Sequence, residues 1–122
     1  MNLPVTILCY AKCTTCQKAE KWLKEKGIAY NYRPIKEENP TAEELADWII
    51  KSSLPVNRFF NTSGLLYKEQ NIKDKIKTSS EKELIDILAS NGMMVKRPIL
   101  LSDNTVLIGF KEAEWNEKLL KY

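Results

Sequence analysis

A nearly continuous apolar run over residues 5–10, Val-Thr-Ile-Leu-Cys-Tyr, gives way at 17–26 to a charged and apolar mixture of helical type that stops at Gly27. Residues 28–35 return to a looser strand pattern. The opening order of strand, helix and strand predicts a right-handed βαβ crossover with two parallel strands. Further on, Thr41 with Glu44 makes a capping box ahead of Leu45, Trp48 and Ile49, one apolar helical face that runs to about Ser52-Ser53. Residues 56–60 suit a short helical turn stopped by Asn61-Thr62-Ser63-Gly64, and 65–69 and 72–76 lean helical. A second capping box, Ser80 with Glu83, opens a helix that buries Leu84, Ile85 and Leu88 before Asn91-Gly92 ends it. Residues 97–101 and 105–110 flank Ser102-Asp103-Asn104 as an antiparallel hairpin. A closing helix from Glu112 to Lys121 would bury Trp115, Leu119 and Leu120.

The assembled order, β-α-β, then helices, then β-β-α, predicts an α/β protein of thioredoxin-like fold with an all-helical insertion at about 40–92. All 122 residues read as one domain. In such a fold Pro98 starts a strand opposite the first strand's end and is a candidate cis proline, since only an X–Pro bond adopts cis cheaply.

The candidate chemistry lies where the first strand hands over to the first helix. Cys13-Thr14-Thr15-Cys16 is a pair of thiols at a helix start, where free amides and the positive dipole end favour a thiolate. Cys13 reads as the nucleophile. Cys16, one turn in, can attack a mixed disulfide formed on Cys13 and release the product. Lys12 and Lys18 add positive charge beside the pair, and Cys9 on the strand reads as a small core hydrophobe.

Composition narrows the choices. There is no histidine, which removes Cys–His catalysis and histidine-ligated zinc, so no metal site is expected; a zinc site shared between chains would need ligands from elsewhere. Three cysteines are too few for a disulfide scaffold. A net charge of +3, dispersed among glutamates, makes no basic stripe for direct nucleic-acid binding. No apolar stretch reaches membrane-span length and no leader pattern is visible, so a cytoplasmic location is expected.

Residues 10–19, Tyr-Ala-Lys-Cys-Thr-Thr-Cys-Gln-Lys-Ala, with Lys96-Arg97-Pro98-Ile99 and Leu107-Ile108-Gly109-Phe110 downstream, resemble the arsenate reductase (ArsC) family, including its Spx branch. The resemblance spans essentially the whole chain and implies a thioredoxin-like fold. It implies Cys13 as the attacking thiol and Arg97 as the arginine beside the cis proline, holding an anion and favouring the thiolate; a surface ion pair is the plainer alternative for Arg97. Lys12, Arg97, Pro98 and Asn61 are the candidate substrate-binding residues. No bound cofactor is implied; glutathione with glutaredoxin, or thioredoxin, would supply electrons, and a small oxyanion or a disulfide would be the substrate.

Departures from the family pattern bear on which substrate. Gln17, Asn61 and Gly109 stand where the family's reductases carry arginine, the last in the final strand, and Arg58 is three positions from the second of these. Cys16 agrees instead with the Spx branch, where a CxxC is the disulfide switch of a regulator that binds RNA polymerase. Residues 51–56 lack the glycine-bearing loop through which that branch contacts polymerase. Two readings stand together: a thiol-disulfide or arsenate-type oxidoreductase, and a redox-sensing regulator.

Overall fold

The structure, a computed structural model, describes residues 5–120. Its elements run β1 (Val5–Cys9), α1 (Thr14–Glu25), β2 (Asn31–Pro34), α2 (Ala42–Ser52), α3 (Leu65–Glu69), α4 (Ile72–Thr78), α5 (Glu81–Ser90), β3 (Ile99–Ser102), β4 (Thr105–Ile108) and α6 (Glu112–Leu119), with 3-10 turns at Val56–Phe59 and Gly92–Met94. This is the expected α/β order. The chain divides into two compact units, one formed by the described residues of Met1–Pro34 and Arg97–Tyr122, the other by Ile35–Lys96.

The first unit is a four-stranded sheet in the order β2-β1-β3-β4. β1 pairs in parallel with β2, with Cys9 opposite Pro34, and antiparallel with β3. Alternation along β1 turns Val5, Ile7 and Cys9 to one face of the sheet. They pack in one buried cluster with Cys16, Ala19, Trp22 and Leu23 of α1, Leu100, Leu107 and Trp115. Trp115 meets Phe110 edge-on at 4.8 Å between ring centroids and Trp22 at 5.9 Å.

Local chemistry sets the ends of these elements. α1 closes with a Schellman motif: Ile28 N–H bonds the Leu23 carbonyl at 2.9 Å and Gly27 N–H bonds Lys24 at 3.1 Å, with Gly27 at φ 69°. Ile28 is consumed by that cap, so β2 starts at Asn31 rather than 28. Pro98 has no N–H to give a ladder, so β3 starts at Ile99, one residue after the cis Arg97–Pro98 bond. The hairpin turn is Asp103-Asn104 alone, since Ser102 pairs with Thr105; Asp103 takes the left-handed conformation that such a turn needs. Gly109 lies past β4 at φ 74° rather than inside the last strand, and only Trp115 of α6 is fully buried, with Leu119 and Leu120 half-buried.

The helical unit carries both predicted capping boxes. Thr41 Oγ1 accepts from Glu44 N–H at 3.1 Å and Ser80 Oγ from Glu83 N–H at 3.2 Å, each reciprocated by the glutamate. Leu45, Trp48 and Ile49 of α2 and Leu84, Ile85 and Leu88 of α5 are the buried faces. Gly92 is required: a Cβ there would be driven into the Ile35 carbonyl.

Candidate functional site

Cys13 is the N-cap of α1, extended at φ −87° and ψ 119°. Its N–H donates to the Tyr10 carbonyl at 2.9 Å, and its own carbonyl accepts the first helical bond from Gln17 at 3.1 Å. The Gln17 side chain reaches back to the Ala11 carbonyl at 2.9 Å and pins the loop from the other side. An N-cap usually carries an oxygen that accepts from the first-turn amides. Here a half-buried thiol stands in that place, no side chain caps the amides, and no acidic residue occupies the first turn. The positive end of the helix is left for the sulfurs.

Cys9 and Cys16 lie in one buried cluster and Cys13 packs against it. Cys16 is 1% exposed and Cys9 0%, whereas Cys13 is reachable from solvent. The Cys16 thiol is lowered to about 6, first by a hydrogen bond from the Cys9 thiol, then by the Tyr10 amide, the Cys13 thiol and the Arg97 charge; burial opposes the shift. Cys9 moves the other way. Donating to Cys16 and buried beside it, Cys9 is pushed far up and stays protonated. The sequence pattern suggests a thiolate favoured by Lys12 and Lys18, but both lysines are exposed and the cation acting on Cys16 is Arg97.

Arg97 is held between Tyr10 and the proline. Its guanidinium carbon lies 5.2 Å from the centre of the Tyr10 ring, a cation–π stack, and the buried Pro98 follows it through the cis bond. The buried Nε and Nη1 of Arg97 have no hydrogen-bond partner among the described residues. Two unsatisfied guanidinium donors cost free energy unless an acceptor arrives. The Pro98 carbonyl accepts from Gly109 N–H at 2.8 Å, and the Gly109 carbonyl accepts from the Trp115 indole at 3.2 Å. Gly109 thus braces the arginine's neighbour with its backbone, in a conformation that an arginine would adopt only at a cost.

Within this unit the structure brings together Cys13, Cys16, Arg97 and Pro98, with Lys12 exposed in the preceding turn. Asn61 belongs to the helical unit, where its N–H bonds the Met94 carbonyl at 2.9 Å and its carbonyl accepts from Gly64 at 3.0 Å. The influence of Cys9 on Cys16 is not visible in residue type alone, whereas Tyr10, which flanks the thiols in sequence, is the platform for Arg97. The signal for Cys9 was available in the pattern, since residues 5, 7 and 9 share a strand face and 16, 19 and 23 share a helix face.

The opposite shifts of Cys16 and Cys9 make a pH dependence. An unfolded cysteine titrates near ~8.5. Cys16 keeps its charge in the folded protein down to about 6, so between these values the unfolded state binds more protons and stability rises with pH; below the window the contribution is lost. Above it Cys9, which keeps its proton when folded, reverses the trend. Thiolate absorbance of the reduced protein should show a step centred near 6 that Cys16→Ser removes, and urea unfolding should show lower stability at about pH 5 than at about pH 8.

The model of the ArsC family matches residues 8–118. The chain is 44% identical over 115 residues to the uncharacterized protein YusI of Bacillus subtilis (strain 168), covering 94% of this chain and 98% of that protein. It is similar to the crystal structure described as that of an ArsC family related protein from Bacteroides fragilis, with a TM-score of 0.93, 49% identity and coverage of 96% and 98%. The global transcriptional regulator Spx of Staphylococcus epidermidis (strain ATCC 35984) is 29% identical over 110 residues, covering 90% of this chain and 82% of the regulator.

Proposed function

As this chain belongs to the ArsC family, we propose that it is a thiol redox protein in which Cys13 attacks, Cys16 resolves and Arg97 steadies an anionic substrate. The observation that carries this is the placement of a solvent-reachable thiol at an uncapped helix start, with a buried, acidified thiol behind it and unpartnered guanidinium donors in the same unit.

The chemistry follows from the charge distribution. Negative charge is favoured on Cys16 by its neighbours. As Cys13 engages a substrate disulfide its proton passes to Cys16, so the attacking sulfur is a thiolate. A bond forms between Cys13 Sγ and one substrate sulfur, the substrate S–S bond breaks, and the departing thiolate takes the proton from Cys16. Cys16, charged again, attacks Cys13 Sγ; the second substrate sulfur leaves as a thiolate, and the protein holds a Cys13–Cys16 disulfide. Two electrons have moved to the substrate. A reduced donor of the glutathione, glutaredoxin or thioredoxin type restores the dithiol.

A disulfide suits this site better than arsenate. An oxyanion of multiple charge calls for several charge-assisted contacts, and Gln17 and Gly109 spend theirs on the loop and the backbone. Purified protein should reduce a mixed glutathione disulfide faster than it reduces arsenate in the presence of glutathione and glutaredoxin. Turnover of neither would overturn the reading.

A second reading is favoured by the likeness to Spx: oxidation of the same pair changes a surface that docks on RNA polymerase. Capture of polymerase by the oxidised protein alone, with no substrate turnover, would decide for it.

A further inference from the structure

We propose that Tyr10 determines the charge preference of this site: its ring fixes the Arg97 guanidinium beside the Cys13 turn, so that the solvent-reachable thiol favours reaction partners that carry a carboxylate. This rests on the reading of Arg97 as the group that holds an anion, and adds to it a positioning residue outside both the CxxC and the Arg-Pro pair.

Sheet register brings the two residues together. β1 and β3 run antiparallel with Leu8 opposite Ile99, and the same register carried two residues further sets Tyr10 opposite Arg97. Residues directly opposite each other in such a pair share a face. The chain keeps this alignment past the strand ends, since the guanidinium carbon lies 5.2 Å from the centre of the Tyr10 ring. The backbone of the same residue seats the thiol. The Tyr10 carbonyl accepts from the Cys13 N–H at 2.9 Å, which closes a turn over residues 10–13 and brings Cys13 back beside Tyr10.

A free arginine side chain samples many rotamers, and stacking on a ring removes much of that freedom before a ligand arrives. The ring attracts the cation through its face and takes none of the in-plane N–H groups. Nε and Nη1 of Arg97 have no hydrogen-bond partner among the described residues, and the residue as a whole is half-buried rather than sealed. A carboxylate suits one guanidinium held in this way, being flat, singly charged and an acceptor at both oxygens. Lys12 and Lys18 are exposed, so salt screens their pull on anions. A cation stacked on a ring and partly withdrawn from water is screened much less.

The test is the rate at which Cys13 is alkylated by iodoacetate, which carries a carboxylate, divided by its rate with neutral iodoacetamide, read by peptide mass at about 0.5 M salt to screen the lysines. Both reagents consume the same thiolate, so the ratio cancels any change in thiol ionisation and reports charge selection. Arg97→Ala should lower the ratio by about fivefold or more, and Tyr10→Leu, which keeps the backbone turn and removes the ring, by about fivefold. Tyr10→Phe, which keeps a ring face, should stay within about twofold of wild type. Tyr10→Leu added to Arg97→Ala should lower the ratio no further. A folded Tyr10→Leu protein with the wild-type ratio would overturn the inference, as would a phenylalanine variant that behaves like leucine or a leucine effect that persists without Arg97. Should leucine fail to fold, Tyr10→Met, apolar and without a ring, decides in its place. An unmoved ratio in Arg97→Ala would sink the reading of Arg97 as the anion holder and this inference with it. Failure of the wild-type protein to form a Cys13–Cys16 disulfide would instead sink the redox reading and leave the alkylation ratio as it is, which separates the two.

Discussion

Cys13→Ser protein should lose disulfide reduction by about a thousandfold or more, with its fold intact. Cys13 is half-buried at the N-cap of α1, its backbone N–H and carbonyl are both engaged, and a serine oxygen is a preferred N-cap, so the local structure should survive the change. The hydroxyl does not ionise near neutral pH, however, and the attacking species disappears. Cys16→Ser should fail differently. Attack by Cys13 still forms a mixed disulfide, but nothing resolves it, so the variant should accumulate a covalent adduct of protein and substrate. Steady-state turnover and intact-protein mass together check both outcomes; an active Cys13→Ser protein would place the chemistry on another sulfur.

Trp115→Ala should destabilise the protein by about 3–5 kcal/mol. Trp115 is 0% exposed, is packed edge-on against Phe110 and Trp22, and satisfies the Gly109 carbonyl through its indole N–H. Alanine removes the largest fully buried side chain and leaves that carbonyl without its partner. Trp115→Phe keeps much of the volume and loses the hydrogen bond, so it should cost only about 1–2 kcal/mol. Urea unfolding followed by far-ultraviolet circular dichroism reads both, as a lower midpoint at unchanged slope. The same change reaches toward the site, because Gly109 donates to the Pro98 carbonyl next to Arg97.

Most of the secondary structure could be read along the chain because its determinants are local. The capping boxes at Thr41 and Ser80, the Gly27 stop and the hairpin turn at Asp103-Asn104 each depend on residues within a few positions of one another. Errors gathered at ends where one residue serves two elements. Ile28 closes α1 and so cannot begin β2, and Gly109 turns the chain out of β4 to brace Pro98. Of the site, Cys13, Cys16, Arg97 and Pro98 were visible as residue types at suggestive positions. Their electrostatics were not. Lys12 and Lys18 are nearest in sequence to the thiols, yet both are exposed, while the effective cation comes from the far end of the chain, stacked on Tyr10.

Neighbouring residues are enough to specify a thiol pair at the start of the first helix of an α/β fold, because helix starts, strand periods and cysteine spacing are local. Which thiol the surroundings favour as the charged one depends on the folded arrangement. Placing the charge on Cys16 takes a strand-end thiol seven positions earlier and an arginine beyond the helical unit. Burial and hydrogen bonding among groups so far apart along the chain exist only once the sheet has formed.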